Sequence, residues 1–171
     1  MKNIKLIDVT IQAMIATIYA VVTVVLAPIS YGSLQFRVSE ILIILALFNK
    51  KHIIGLTIGC FVANLFSPML FLDLPFGTLA TFLSVFYLNK FNKKPYLALI
   101  LPSIFNGVIV GLMLNYAFEL PLIESMISVF IGEFVVTYVF GLPIYYRIKE
   151  TNYKDFFELK FSKKKLSESV R

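Results

Sequence analysis

Carboxylate and amide side chains interrupt apolar stretches of this sequence that otherwise carry no charge. Glu133, for example, separates the uncharged stretches Ser125–Gly132 and Phe134–Tyr146. A carboxylate near the centre of a membrane helix costs at least about 2.5–3.5 kcal/mol, so it needs a polar partner or a wet pocket. Such groups can accept hydrogen bonds from the N–H donors of a small molecule, and aromatic rings can stack on its flat face. The polar residues in such positions are Arg37, Glu40, Asn64, Asp73, Asn106 and Glu133.

The reactive side chains exclude most cofactor chemistry. One histidine, His52, and one cysteine, Cys60, cannot build a zinc or haem site with the usual ligands. The chain has no G-x-x-x-x-G-K-[ST] phosphate loop, so we do not expect it to hydrolyse nucleotides itself. We therefore expect no metal and no cofactor, and a binding protein rather than an enzyme. An intramembrane enzyme that uses Asp73 and Glu133 as acid and base stays open as an alternative.

The composition indicates an integral membrane protein. Hydrophobic residues make up 58% of the 171 residues and charged residues 15%, with a mean hydropathy of +0.83. A soluble domain has roughly 45–50% apolar and about 25% charged residues, and this chain has too few polar residues to cover such a domain. The single cysteine excludes a disulfide scaffold, and the high apolar content excludes disorder.

The uncharged stretches divide into six predicted helices. A helix needs about 20 residues to cross a hydrocarbon core of roughly 30 Å. Proline, glycine, asparagine and charged residues between the stretches mark where successive helices end. We predict an all-α integral membrane fold, a six-transmembrane-helix bundle with spans at about residues 8–28, 36–49, 53–67, 75–90, 96–117 and 123–147.

The distribution of Lys and Arg predicts the side that each loop faces. With six spans, the N-terminus, the 49–52 turn, the 90–95 turn and the C-terminal tail share one side, and they hold all 16 cationic residues except Arg37. Because Lys and Arg accumulate in cytoplasmic loops, both the N- and the C-terminus are predicted to be cytoplasmic. Residues 1–150 then form the membrane domain and residues 151–171 a short basic tail. This topology explains the net charge of +6, so we expect no nucleic-acid partner.

The second, third and fourth predicted spans are short for a bilayer. Their apolar parts cover about 13–16 residues, or roughly 20–24 Å as helix. Either the bilayer thins around the protein, or the outer loops fold back at membrane depth and roof a cavity. We favour a cavity that is formed by loops 28–36 and 67–75 and opens to the outside.

Most of the polar candidates also have a purely structural interpretation. Arg37 and Glu40 are three residues apart at the start of a helix and could pair with each other. Asn64 and Asn106 could clamp helices together through hydrogen bonds. Asp73 could cap the fourth helix.

Glu133 is predicted to lie on a polar and aromatic face of the sixth helix. Thr137 and Phe140 follow it at four and seven residues, a spacing that brings the three side chains to one face of an α-helix. Its structural alternative is a protonated or hydrogen-bonded glutamate that holds helices together.

Small residues in the first helix predict a close helix contact. Ala13, Ala16 and Ala20 lie on one stripe, and Ala16 and Ala20 form a small-xxx-small motif. Such a stripe lets another helix approach closely in lipid. It serves either packing within the bundle or the docking of another membrane subunit.

Several segments carry a family resemblance. They are PISYGSLQFRVSE at 28–40, ANLFSP at 63–68, and Asp73 followed by FGTLAT at 76–81, with Asn106-Gly107 and Gly132-Glu133 as later matches. These segments resemble the QueT family of queuosine-precursor transporters, which are substrate-binding S components of energy-coupling factor (ECF) importers. The resemblance covers about residues 10–147 and leaves out the tail.

The resemblance implies a function as well as a fold. An S component of this kind captures a solute at the outer face of the bacterial cytoplasmic membrane and docks on a shared ECF transmembrane subunit, which carries two cytoplasmic ATPase subunits. The implied solute is a 7-deazaguanine precursor of queuosine or the free base queuine. Docking uses an alanine motif that Ala16 and Ala20 match. The resemblance implies substrate-binding roles for Gln35, Arg37, Glu40, Asn64, Asp73, Asn106 and Glu133.

Other functions stay open beside this one. Within transport, the alternative is an S component for another flat vitamin, a pterin or a flavin. A scaffold protein without a ligand is an alternative of a different class. A ligand screen by thermal melting separates them, because binding to the folded state raises its stability.

Overall fold

Six helical segments make up the part of the chain that the computed structural model describes, residues 6–31 and 36–151. They are α1 (Leu6–Val25), α2 (Val38–Phe48), α3 (His52–Asn64), α4 (Leu70–Lys90), α5 (Pro95–Phe118) and α6 (Leu122–Glu150). A short helical turn, Ala27–Ser30, follows α1, and these described residues contain no β-strand. The prediction of an all-α fold is confirmed for this part of the chain.

Four of these helices are long and apolar enough to cross a membrane. α1, α4, α5 and α6 have 20 to 29 residues and mean hydropathies of 1.5 to 2.3, whereas α2 and α3 are shorter apolar helices. Large apolar side chains are exposed along the outer faces of the long helices, as expected for contact with lipid. These features indicate a multi-pass membrane protein. The count of six spans and the side of each terminus stay predictions.

α4 begins earlier than the sequence predicted. A loop was expected as far as Pro75, but the helix starts at Leu70 and contains a π-helical turn, Asp73–Gly77. A π turn has i→i+5 hydrogen bonds, and the first N–H groups of any helix have no partner within it. Pro75 is the third residue of this π turn, so the N–H that proline lacks would have had no partner within the turn. Asp73 lies in a helix and not in a loop.

α2 lies at the centre of the bundle. α1 packs against α3, α3 against α4, α4 against α5, and α5 against α6, while α2 contacts α1, α3, α4 and α6. Every side chain from Ile43 to Leu47 is buried. A helix that is apolar on all sides belongs in a core. The short α2 is thus surrounded by protein, and it carries the residues at its start into the interior.

α1 and α3 approach each other closely at two glycines of α3. A Cβ added to Gly59 would lie 2.8 Å from the Tyr19 Cβ and 3.0 Å from the Ala16 Cα. A Cβ added to Gly55 would lie 2.8 Å from the Gln12 carbonyl oxygen. The two helices therefore pack with their backbones in contact, as small residues allow in membrane proteins.

The alanines of α1 divide between this contact and the surface. Ala16 and Ala20 are buried, and Ala16 lies against Gly59, whereas Ala13 is exposed. The burial of Ala16 and Ala20 supports packing within the bundle, which was one of the two alternatives for this stripe. Docking of a partner subunit on the stripe stays a prediction.

Two contacts define the two ends of the bundle. Lys51 Nζ donates to Asp8 Oδ2 at 2.7 Å, so the start of α1 lies beside the start of α3. At the other end, the Tyr31 hydroxyl donates to the Ala63 carbonyl at 2.6 Å, which brings the segment after α1 to the end of α3. This second end, where α1 and α3 finish and α2 and α4 begin, is here termed the polar end.

The predicted boundary of the membrane domain falls at the end of α6. α6 ends at Glu150, and residues 152–171 lie outside the described part of the chain. The division into residues 1–150 and 151–171 stays a prediction.

Replacing Gly59 by alanine should destabilise the contact between α1 and α3. The added methyl meets backbone and Cβ atoms that move only if a helix moves, and overpacking typically costs about 1–3 kcal/mol. We expect Gly59→Ala to lower the melting temperature in detergent. Gly141→Ala is the matched control, because its nearest neighbour is a side-chain atom, Ile44 Cγ2, at 3.3 Å. An equal fall for both variants would contradict the close approach at Gly59.

Candidate functional site

Arg37 is buried at the polar end, just before α2. Its Nη2 donates to Asn64 Oδ1 at 3.1 Å, and its Nη1 lies 3.7 Å from Cys60 Sγ. The Tyr31 ring lies 5.8 Å from the guanidinium carbon, within the range of a cation–π contact. The Nε atom has no hydrogen-bond partner among the described residues. A buried guanidinium needs an acceptor at each N–H, so Nε can serve a further acceptor.

Arg37 and Glu40 do not pair with each other. Both are buried and interact electrostatically, yet the described residues contain no ion pair between them. The pairing alternative is therefore wrong. Its spacing rule holds for two helical residues, and Arg37 precedes the helix with an extended backbone, φ −81° and ψ 91°.

Glu40 is held by hydroxyl groups from two other helices. The Tyr19 hydroxyl in α1 and the Thr81 hydroxyl in α4 both donate to Glu40 Oε1, the second at 2.9 Å. Glu40 Oε2 has no partner among the described residues. The protein thus fixes one carboxylate oxygen and leaves the other for a donor from elsewhere.

Asn64 connects three helices at the polar end. Its Nδ2 donates to the Asp73 carbonyl at 2.9 Å and to Thr78 Oγ1 at 3.2 Å, while its Oδ1 accepts from Arg37. Both ends of the amide are engaged by protein groups. These bonds support the helix-clamp alternative for Asn64.

A glycine in α4 makes room for this cluster. A Cβ added to Gly77 would lie 3.0 Å from Asn64 Nδ2 and 3.6 Å from Arg37 Nη2. The backbone of α4 can therefore approach the guanidinium more closely than a residue with a side chain would allow.

Asp73 is buried in the first part of α4. The Ser67 hydroxyl donates to Asp73 Oδ2 and accepts the Met69 N–H at 3.0 Å. Asp73 Oδ1 has no partner among the described residues. The capping alternative is wrong, because the helix begins three residues before Asp73 and the side chain bonds Ser67 instead of a helix N–H.

Glu133 is buried in α6, within electrostatic range of Glu40 and Arg37. Its Oε2 has no partner among the described residues. The Thr137 hydroxyl donates to the Glu133 carbonyl at 2.8 Å and is buried, whereas Phe140 is 52% exposed. The prediction that Phe140 shares this face is wrong. The segment from 135 to 140 is π-helical, and its wider turn rotates Phe140 outward.

Asn106 adds little to this cluster. Asn106 is buried in α5, and its Nδ2 donates to the Pro102 carbonyl of the same helix at 3.2 Å. Within the described ranges, it makes no hydrogen bond to another helix, so the clamp alternative finds no support for Asn106. Gln35 lies outside the described residues.

Polar atoms without a partner are concentrated at these predicted residues. Among the described residues, the unpartnered buried atoms are Ser30 Oγ, Arg37 Nε, Glu40 Oε2, Asp73 Oδ1 and Glu133 Oε2. Buried polar groups are nearly always hydrogen-bonded in native proteins, so such a concentration points to a bound molecule or ordered water. Three carboxylate oxygens and one N–H suit a molecule with several N–H donors and at least one acceptor.

Each buried carboxylate lies in or beside a helix segment that departs from regular α geometry. Glu40 belongs to a 3-10 segment of α2, Asp73 begins the π turn of α4, and Glu133 lies just before the π segment of α6. Segments of this kind mark functional sites frequently. The three acids therefore share a local structural signature.

A cavity of about 470 Å³ lies beside Asp73 at the polar end. Residues from both segments that were predicted as its loops, 28–36 and 67–75, line it, and the end of α5 completes its wall, while its opening to the outside stays a prediction. Its volume falls within the range of about 300–1,000 Å³ that ligand pockets occupy. The described residues that line it are Tyr31, Ser67, Pro68, Met69, Asp73, Leu114, Phe118 and Leu120.

Sequence reasoning missed the side chains that orient the acids. Tyr19, Thr81 and Ser67 donate hydroxyl groups to the carboxylates, and Cys60 lies beside the guanidinium. A hydroxyl on an apolar helix gives no periodic signal of its own. The available signal was that a buried tyrosine needs an acceptor for its O–H group.

The comparisons with known proteins agree on one family. The family model described as QueT transporter matches residues 9–150. A protein of Lactococcus lactis subsp. cremoris (strain MG1363) named queuosine precursor transporter QueT is 34% identical over 155 residues, which is 81% of this chain and 90% of the relative. No solved structure matches the chain significantly.

Asn64→Ala should destabilise the polar end more than Asn106→Ala does. Asn64 bonds Arg37, the Asp73 carbonyl and Thr78, and each buried group left without a partner costs about 1–3 kcal/mol. Among the described residues, the side chain of Asn106 bonds a carbonyl of its own helix. We expect a clearly lower melting temperature for Asn64→Ala in detergent without ligand, and a small change for Asn106→Ala. Equal changes would contradict the clamp role of Asn64.

Proposed function

Because this chain belongs to the QueT transporter family, we propose that it binds a queuosine precursor, a 7-deazaguanine base or queuine, and serves its import into the cell. The name of the Lactococcus lactis relative supports this substrate class. In this function the protein holds and releases the base without changing it, so the buried acids act as hydrogen-bond acceptors and not as catalysts.

The concentration of unpartnered polar atoms at the polar end carries this proposal. A 7-deazaguanine has a guanine-like edge with neighbouring N–H and NH₂ donors and a carbonyl acceptor. A carboxylate can accept two hydrogen bonds from such an edge, and a guanidinium N–H can donate to the carbonyl. The proposed substrate-binding residues are Gln35, Arg37, Glu40, Asn64, Asp73, Asn106 and Glu133.

The proposed topology has six spans and both termini in the cytoplasm of a bacterial cell. The contact between Lys51 and Asp8 supports it, because the start of α1 and the turn between α2 and α3 then lie at one end. All cations of the chain except Arg37 belong to segments that this topology assigns to the cytoplasm. The polar end then faces outside, where a substrate is captured.

The proposed role in transport is that of an S component of an ECF importer. The sequence has no nucleotide-binding phosphate loop, so partner subunits would have to supply the energy: a shared transmembrane subunit and two ATPases. Ala13 is exposed, and the neighbouring Thr17 hydroxyl donates back to the Ala13 carbonyl at 2.8 Å. Ala13 has a small side chain, and the Thr17 hydroxyl already has a hydrogen-bond partner within α1. Another helix can therefore pack closely against this face without burying an unpaired hydroxyl. The proposed docking surface therefore centres on Ala13, with Ala16 and Ala20 behind it.

Uptake should depend on the partner subunits. We expect cells that express this chain alone to accumulate no labelled 7-deazaguanine base above background, and cells that also express the shared subunit and both ATPases to accumulate it. Ala13→Leu should lower that uptake while binding of the base in detergent stays unchanged, since bulk on this face obstructs packing. Accumulation by the chain alone would contradict the S-component role.

Glu133→Gln and Glu40→Gln should weaken binding of a 7-deazaguanine base while the protein still reaches the membrane. Each change replaces a carboxyl oxygen by an NH₂ donor, and a ligand N–H left without its acceptor costs about 1–3 kcal/mol, or roughly five- to a hundredfold in affinity. The ligand-induced rise in melting temperature measures this binding. Glu124→Gln, at an exposed carboxylate of the same helix as Glu133, should bind like the wild type.

Pterins and flavins should be tested in the same melting assay. A melting shift with one of them but not with a deazaguanine would contradict the substrate assignment. Wild-type affinity in both glutamine variants would contradict a ligand role for these carboxylates. Chemical conversion of the bound base would instead favour the enzyme alternative with Asp73 and Glu133.

A further inference from the structure

Arg37 and Glu40 carry opposite charges close together in the interior, yet they do not touch. The Glu40 N–H donates to the Arg37 carbonyl at 2.9 Å, and both side chains are buried. Among the described residues, no ion pair joins them. The extended backbone at Arg37 sets where its side chain starts, but two side chains of this length can still swing toward each other. Because opposite charges attract strongly in a low-dielectric interior, other groups must hold these two apart.

Two neutral side chains, Cys60 in α3 and Thr81 in α4, connect the guanidinium to the carboxylate. Arg37 Nη1 donates to Cys60 Sγ at 3.7 Å, and the thiol donates to Thr81 Oγ1 at 3.3 Å. The Thr81 hydroxyl in turn donates to Glu40 Oε1 at 2.9 Å. Every donor in this series lies on the guanidinium side of its acceptor. Hydrogen bonds aligned in this way strengthen one another, so the series stabilises both charges without contact between them. Cys60 and Thr81 are here termed the neutral bridge.

Further hydrogen bonds hold the bridge and both charges in place. The Tyr19 hydroxyl also donates to Glu40 Oε1, and Asn64 Oδ1 accepts from Arg37 Nη2. Asn64 Nδ2 donates to Cys60 Sγ at 3.4 Å. The side chains of Tyr19, Cys60 and Asn64 are fully buried. Close packing restricts the rotamers of such side chains, so we infer that the bridge is a rigid part of the bundle.

The neutral bridge leaves a donor and an acceptor open. Arg37 Nε and Glu40 Oε2 have no partner among the described residues. A direct pair between a guanidinium and a carboxylate is frequently bidentate, with two parallel N–H···O bonds that use both carboxylate oxygens. Collapse of Arg37 onto Glu40 would therefore consume the atoms that the bridge keeps available.

We propose that Cys60 and Thr81 are positioning residues, which keep Arg37 and Glu40 apart so that both stay open for the base. The proposal rests on the proposed function, in which both charged side chains bind the base. Without the bridge, Glu40 swings to Arg37, and the base must break their ion pair before it can bind. A site that is held open in advance avoids this cost and binds more tightly.

The first test is Thr81→Val in the purified full-length protein in detergent, with 7-deazaguanine and queuine as the bases and ligand-induced melting as the readout. Valine has a similar shape to threonine but no hydroxyl to donate to Glu40. We expect affinity for both bases to fall about tenfold, because the ion pair competes with them. Thr81→Ser restores the hydroxyl and should bind within about threefold of the wild type.

Ser84→Ala is the matched control. Ser84 is a buried residue of the same helix as Thr81, and its hydroxyl donates to the Ala80 carbonyl at 2.7 Å, within α4. Its removal therefore leaves the bridge intact, and we expect wild-type affinity. Equal losses in Ser84→Ala and Thr81→Val would show that any buried hydroxyl of α4 supports binding, and would overturn the role of the bridge.

A double variant separates positioning from a general structural role. In Glu40→Gln the side chain is neutral and cannot form an ion pair with Arg37, so the hydroxyl of Thr81 has no pair to keep apart. Adding Thr81→Val to Glu40→Gln should therefore lower affinity by less than about threefold, whereas independent sites would give additive losses. A second loss of about tenfold in the double variant would mean that Thr81 acts independently of Glu40, and would contradict the proposal.

Cys60→Ala is the second variant, in case Thr81→Val folds poorly. It removes the thiol that accepts from Arg37 and donates to Thr81, and it leaves the Thr81 hydroxyl in place. Affinity for both bases should again fall about tenfold. Cys60→Ser keeps a donor and an acceptor at this position and should bind more tightly than Cys60→Ala. Wild-type affinity in folded Cys60→Ala would contradict the proposal.

The outcomes distinguish this proposal from the proposed function. Wild-type affinity in Thr81→Val and Cys60→Ala, together with weakened binding in Glu40→Gln, would overturn the neutral bridge and leave the proposed function intact. Binding of neither base by the folded wild type would count against the proposed function itself.

Discussion

The structure of the polar end depends on the interactions that hold the buried Arg37. A guanidinium at this depth needs acceptors and a close backbone, and the chain supplies both from different helices. Asn64 accepts from Arg37 and also holds the start of α4 through the Asp73 carbonyl. Gly77 lets the backbone of α4 approach the guanidinium. Three helix ends are thereby fixed around one cation, and this arrangement determines where Glu40 and Asp73 lie.

The helices depart from α geometry where the acids lie, and neighbouring side chains stabilise these departures. In the 3-10 segment of α2, the Ser39 hydroxyl lies 2.6 Å from the Thr23 hydroxyl, and Glu40 accepts from Tyr19. Thr23 and Tyr19 both belong to α1, so both contacts hold the 3-10 segment against that helix. An irregular turn costs local stability and persists where the surroundings determine it fully. Here hydroxyl groups fix the conformation of the 3-10 segment, because they can form hydrogen bonds to a carboxylate without neutralising its charge.

The positions of the polar residues could be predicted from sequence, whereas their partners could not. A carboxylate such as Glu133 within an apolar stretch is costly in any tertiary structure, so its type and position already predict a pocket or a partner. Where a helix starts, and which of its side chains share a face, depends on local backbone geometry, and the sequence carries no periodic signal for that geometry. The π segments placed Phe140 outside and Asp73 inside a helix, against the predictions. The extended backbone of Arg37 likewise separated it from Glu40.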